Sequence, residues 1–157
     1  MVGSPGQTIS NLVSDLLFLQ TLQPEMVGIG PFIPHQDTVF RDKTSGTLEQ
    51  TLTMLAMTRL LLPSALIPAT TALGTLWPDG QSKAFQAGAN VLMPNFSPPE
   101  DRQLYTLYNR KAAVADNAFL LASMMEMVRQ AGYTPDLSRG DHASVKAAPK
   151  EAPPLGK

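Results

Sequence analysis

Met26-Val27-Gly28-Ile29-Gly30-Pro31-Phe32-Ile33-Pro34-His35 is the stretch on which the fold turns. Its apolar residues lack a helical spacing, two glycines interrupt it, and Pro31 and Pro34 close it. It therefore reads as a short buried strand. Its neighbours on both sides read as helices. Upstream, Ile9, Leu12, Val13, Leu16, Leu17 and Leu22 fall on one stripe of a 3.6-residue helix, with Thr8 at its N-cap and Pro24 as its stop. Downstream, a loop runs to Gly46, and Thr47-Leu48-Glu49-Gln50 has the pattern of a capping box opening a helix to about Leu62, which Pro63 ends.

The same alternation continues outward. Leu66 to Thr71 is a second short strand, although Pro68 removes one ladder donor. Gly80 to Ala87 is a helix with Gly88 as its C-terminal cap, and Asn90 to Asn95 is a further strand before the Ser97-Pro98-Pro99 turn. Tyr105 to Lys111 stays open between helix and loop. Asp116 caps a helix that reaches Ala131 and stops at Gly132. Met1 to Thr8 looks like the end of another strand running into a Gly/Pro turn. Strand and helix thus alternate four times, the pattern of an α/β parallel sheet built from right-handed crossovers. A complete (βα)8 TIM-type barrel takes about 250 residues, so four βα units in roughly 130 residues amount to half of one. A small open doubly wound sheet is the alternative. Residues 1–133 are expected to form the half-barrel and 134–157, with Pro135, Pro149, Pro153 and Pro154, a disordered tail.

Composition excludes several chemistries. The 157 residues include no cysteine, so the chain can supply no disulfide, thiolate zinc site, cysteine nucleophile or thiolate-held iron-sulfur cluster. Twelve basic residues against 13 acidic ones, without clustering, give no footprint for nucleic acid or an acidic membrane. The longest mostly apolar stretch, Met54 to Leu62, is broken by Thr58 and Arg59 and is far below the roughly 20 residues that span a bilayer. The N-terminus lacks a basic region followed by an apolar block, which makes the cytoplasm the default location.

Ligands of parallel α/β folds bind at the carboxyl ends of the strands. Four distinctive segments lie there: Pro5-Gly6-Gln7-Thr8, Gly30 to His35, Thr70-Thr71-Ala72 and Met93-Pro94-Asn95. Together they form one candidate rim, although turn chemistry alone also asks for such residues. Gly6-Gln7-Thr8 at a helix start is suited to an anion, but the GxxxxGK[ST] run of a nucleotide-binding P-loop is missing. Thr70 and Thr71 bring two hydroxyls to a strand end, either to orient a small polar ligand or to cap the next segment of chain. His35 is a candidate acid or base, or a hydrogen-bonded loop residue. Met1, Met26 and Met93 at strand positions, and Met124, Met125 and Met127 in the last helix, are read as core filling. Asp79, Glu100 and Asp101 read as solvated. Tyr105 and Tyr108 share a face if their segment is helical.

Several of these segments resemble a known family. Met1 to Thr8, Met26 to His35, Leu61-Leu62-Pro63 and Ile67-Pro68-Ala69-Thr70-Thr71-Ala72-Leu73-Gly74-Thr75 are similar to the C-terminal half of the radical S-adenosylmethionine maturases of FeFe-hydrogenase. Gly88 to Asn95 and Tyr105-Thr106-Leu107-Tyr108 continue the likeness in order, over about residues 1–133. The Gly-x-Pro-Gly-Gln-Thr and Gly-Ala-Asn pieces are shared with biotin synthase and methylornithine synthase, whereas Pro68 to Thr75 is the specific run. Ser4 departs from the usual Leu, Gln36 and Val39 from a Pro-His-Pro-Asp-Thr-Pro pattern, and Gln81-Ser82 from an Arg-Glu pair.

The resemblance implies a biotin-synthase-like (βα)8 barrel that carries a 4Fe-4S cluster on a Cys-x-x-x-Cys-x-x-Cys loop, which has no counterpart here. It implies S-adenosylmethionine as the second cofactor, a small iron complex as substrate, and a part in assembling the hydrogenase H-cluster. Carried across by motif, Met1, Met26, Tyr105 and Leu107 would lie on the cofactor side, and Thr70, Thr71, Ala72, Met93 and Tyr108 at the substrate end. No metal ligand and no catalytic residue is assigned. A Met inside a motif leads to the expectation of a truncated product or an incomplete record of a longer one, inactive until joined to the cluster-bearing N-terminal half. Two readings stand beside it: a non-enzymatic half-barrel that pairs with such a half or with itself, and a free-standing α/β binding protein with an anion site at Gly6 to Thr8.

Overall fold

The computed structural model describes residues 1–98 and 117–146. Six helices occur among them: α1 (Ile9–Leu22), α2 (Leu48–Leu61), α3 (Thr71–Leu76), α4 (Gly80–Gln86), α5 (Asn117–Gln130) and α6 (Ala143–Lys146). Helix α1 starts at a complete capping box, in which Thr8 Oγ1 accepts from the Asn11 N–H at 3.2 Å and Asn11 Oδ1 accepts from the Thr8 N–H at 2.8 Å. At α2 the expected box is half present: Thr47 Oγ1 accepts from the Gln50 N–H at 3.2 Å, while Thr51 Oγ1 donates back to the Thr47 carbonyl at 2.7 Å. Of the six apolar stripe positions on α1 only Leu12 and Leu16 are buried; Ile9, Val13, Leu17 and Leu22 are exposed.

The four expected strands contract to single parallel bridges: Val2 with Pro31, Met26 with Leu66, and Pro68 with Val91. Proline and glycine cause the contraction, since Pro31 and Pro68 have no N–H and Gly28 and Gly30 no side chain to pack. Each bridge is nonetheless a regular parallel pairing. The Val2 N–H donates to the Gly30 carbonyl at 2.9 Å, and the Val2 carbonyl accepts from the Phe32 N–H at 2.7 Å. Pro68 is tolerated because its bridge uses the Ile67 carbonyl and the Ala69 N–H, both paired with Val91, and not its own nitrogen. The four extended segments therefore run parallel and lie side by side in chain order.

Side chains alternate across them. Val2, Val27, Ile29, Ile67 and Ala69 are buried in one core with Leu12, Leu16, Met54, Leu55 and Phe85 from the helices. Helix α1 packs on α2, α2 on α4, α3 on α4, and α4 on α5. On the opposite face Met1, Met26 and Met93 remain 69%, 45% and 62% exposed.

Two expectations change. The reading of Leu66 to Thr71 as strand is too long: Thr70 is an N-cap and Thr71 opens α3, a helix not anticipated. Residues 134–146, placed in the tail, include α6, and this segment is tied to the body. His142 Nε2 lies 3.1 Å from the Ser64 carbonyl oxygen, and Ser144 Oγ donates to Glu25 Oε1 at 3.0 Å. Since Glu25 and Ser64 precede the second and third extended segments, the strap crosses their amino ends, opposite the rim.

Candidate functional site

The rim is built where the extended segments hand over to loops and helices. Gly30 and Thr70 meet there across two adjacent segments: a Cβ added to Gly30 would stand 2.8 Å from Thr70 Oγ1. Glycine at position 30 thus makes room for the threonine. Although Thr70 is the N-cap of α3, its side chain makes no capping bond, and Oγ1 is a buried atom without a hydrogen-bond partner. A buried hydroxyl left unpaired is costly, and Thr58 Oγ1 and Arg59 Nη2 share that state. Thr71 is exposed, whereas Ala72 is buried against the core. Gln81 supports the segment from behind, its Nε2 donating to the Ala69 carbonyl at 3.1 Å.

Met26, Gly28 and Gly30 alternate with the buried Val27 and Ile29 and so share the open face with Thr70, Met93 and Met1. An added Cβ at Gly28 would meet nothing within 4 Å. The face is therefore apolar, unobstructed at its middle and furnished with thioethers. The reading of Met1, Met26 and Met93 as core filling is corrected: these side chains are exposed. Tyr105, Leu107 and Tyr108 lie outside the described residues, as do Glu100 and Asp101.

The anion site expected at Gly6 to Thr8 has other occupants. The Thr8 and Asn11 N–H groups are consumed by the capping box, and the Gln7 N–H donates to the Ser4 carbonyl at 2.9 Å. His35 organises its own loop: Nδ1 accepts from the Asp37 N–H at 3.2 Å, and the carbonyl accepts from Thr38 Oγ1 at 2.9 Å. Asp79 pairs with Lys83 at 2.6 Å, and hydrogen bonding from that lysine holds its carboxyl below the usual range against a smaller opposing effect of desolvation.

One structural residue escaped the sequence reading. Arg59 donates through Nε to the Gly88 carbonyl at 2.9 Å, and through Nη1 to those of Pro63 and Ala65, each at 2.8 Å, and of Leu62 at 3.3 Å. Burial lowers its pKa from the ordinary value, with Tyr133 opposing. Its position in the last turn of α2, where a cation meets the helix dipole, was the available signal.

The FeFe hydrogenase maturase subunit HydE of Thermotoga maritima is 47% identical to this chain over 146 residues, which is 92% of the chain and 42% of the maturase. The chain corresponds to a fragment of a HydE-type radical S-adenosylmethionine maturase. Two 3-methylornithine synthases are more distant relatives of this HydE-type chain. That of Methanosarcina barkeri is 31% identical over 108 residues, covering 67% of the chain and 29% of the synthase. That of Methanosarcina acetivorans is 27% identical over 131 residues, covering 83% and 36%. The chain spans less than half the length of each of these relatives. No family model matches it.

A 4Fe-4S cluster of the family's kind does not fit this HydE-type chain, which has no cysteine. Among the described residues no three His, Asp or Glu side chains converge as metal ligands either. No helix among them is long and apolar enough to cross a membrane.

Proposed function

We propose that residues 1–133 are the C-terminal half of a HydE-type barrel and contribute the substrate-facing wall of its cavity to H-cluster assembly. The observation that carries this is the 47% identity along almost the whole chain. Sequential parallel segments with helices gathered on one face support it, because a doubly wound sheet would cover both faces. In this reading Met1 and Met26, with Tyr105 and Leu107, contact S-adenosylmethionine, and the open surface over Gly28 takes its flat, largely apolar part. When bound in the complete enzyme, S-adenosylmethionine supplies a 5'-deoxyadenosyl group. Thr70 offers its unpaired hydroxyl to the small iron-complex substrate, with Thr71, Ala72, Met93 and Tyr108 around it.

Cluster ligation and electron delivery then fall to the cysteine-bearing remainder of a HydE-type maturase. The test is anaerobic reconstitution with iron and sulfide. The chain alone should develop no 4Fe-4S absorption and form no 5'-deoxyadenosine, and both should appear when a polypeptide spanning the remaining length of a HydE-type maturase is added. Formation of both products by the chain alone would refute the reading. A non-enzymatic pairing role is favoured instead if the two polypeptides associate and remain inactive; the exposed methionine face supports such pairing.

A further inference from the structure

Each of the three parallel pairings stops one step beyond its bridge, on the side of the rim, and each stops by a different means. In a parallel ladder the next rung joins the carbonyl one residue past the bridge on one segment to the N–H two residues past it on the other. Between the first and second segments those groups are the Phe32 carbonyl and the Ser4 N–H, but the carbonyl accepts from the Gly46 N–H at 2.9 Å. Between the second and third they are the Val27 carbonyl and Pro68, which has no N–H to give. Between the third and fourth they are the Ala69 carbonyl and the Met93 N–H, and here a side chain intervenes. Gln81 Nε2 donates to the Ala69 carbonyl at 3.1 Å, and among the described residues no bond from Met93 joins it.

Gln81 is placed for this by glycines. It stands in the first turn of α4, which lies close against α3 because Gly80 has no Cβ to overlap the Leu73 carbonyl. Its side chain passes Gly74 of α3, where an added Cβ would meet Gln81 Cδ and Oε1 at 3.3 Å. Ala69 is thereby held on both of its polar groups, the N–H by the Val91 carbonyl at 2.9 Å and the carbonyl by Gln81. Thr70 and Met93 border the rung that is not made. A bond from Met93 to Ala69 would draw the fourth segment onto the third at the spacing of about 4.8 Å that a sheet imposes.

We infer that Gln81 is a positioning residue: its amide takes the acceptor that would close the third segment on the fourth, and so keeps a slot open between Thr70 and Met93. That this slot lies at the substrate end rests on the proposed maturase role; the interrupted ladder does not.

The first measurement uses the full chain by itself. Scalar couplings across hydrogen bonds report which N–H meets which carbonyl, and in the parent the Ala69 carbonyl should couple to Gln81 Nε2 and not to the Met93 nitrogen. Gln81→Met, similar in shape and without a donor, should bring out the Met93 coupling and slow exchange of the Met93 amide about fivefold or more. Gln81→Glu, whose carboxylate cannot donate at neutral pH, should do the same, and it serves if the methionine variant does not fold. A Met93 coupling in the parent overturns the inference, as do folded variants that fail to gain it. The second measurement is the two-polypeptide reconstitution. There a folded variant should lose H-cluster assembly at least about tenfold further than it loses 5'-deoxyadenosine formation, because the altered slot misplaces the substrate. Equal losses in the two would make Gln81 a structural residue only and overturn the positioning role. A parent pair that forms no 5'-deoxyadenosine would remove the maturase role and the slot's assignment with it, while the couplings still decide whether Gln81 interrupts the ladder.

Discussion

Thr70 is set against Gly30 and left without a hydrogen-bond partner, and each half of that arrangement has a measurable consequence. Gly30→Ala forces a methyl to 2.8 Å from Thr70 Oγ1 and should lower stability by about 1–2 kcal/mol in thermal unfolding. Adding Thr70→Ala should recover most of the loss, a coupling that a double-mutant cycle reads directly. Thr70→Val replaces an unpaired hydroxyl by a methyl of similar shape. The chain should keep its stability or gain up to about 1 kcal/mol, while its support of H-cluster assembly in the two-polypeptide reconstitution falls. Equal support by the valine variant would remove Thr70 from the substrate end. Arg59→Met strips hydrogen bonds from four carbonyls, three of them half-buried, and should cost about 2–4 kcal/mol in denaturant unfolding. Asp79 gives the pH case. Its folded-state pKa is depressed, so its stabilising contribution is present above the ordinary carboxylate range and is lost as pH falls through the depressed value. Asp79→Asn should flatten that limb of a melting-temperature profile, and only slightly, because the ion pair is solvent-exposed.

Caps and spacing explain which elements could be read in advance. Helix α1 was legible to both ends because the Thr8 box starts it and Pro24 follows its left-handed C-cap at Gln23, where φ is 50°. Gln23→Gly should therefore stabilise the chain by about 0.5–1 kcal/mol in chemical denaturation, glycine being the residue suited to that conformation. Helix α3 was not legible. Its six residues, Thr71–Leu76, are too few to display an amphipathic period, and Thr70-Thr71 ahead of it looks as much like strand as like cap. The extended segments were found in the right places and order, yet their length was overestimated. Apolar runs such as Met26 to Phe32 announce burial, whereas Pro31 and the two glycines decide how many ladder bonds survive. At the rim, motif placed Gly30 and Thr70 near the site, but their contact joins residues 40 apart and no local pattern carries it.

At the scale of the whole molecule, one face of the extended segments is buried beneath helices and the other leaves Met1, Met26 and Met93 open. Four parallel segments in chain order were readable as a count of four strand-and-helix units. The C-terminal strap was not, because a run of polar residues with prolines carries the composition of a tail whether or not it finds partners. His142 and Ser144 reach back 78 and 119 residues to Ser64 and Glu25. Ending the chain at Tyr133 should accordingly speed amide exchange at Leu66 and Val27 without melting α1 or α2, as hydrogen-exchange measurements would record. These contacts also set a timetable for biosynthesis. Glu25 and Ser64 leave the ribosome well before His142 and Ser144, so a nascent chain paused between them would carry a rim already shaped while its base still gapes.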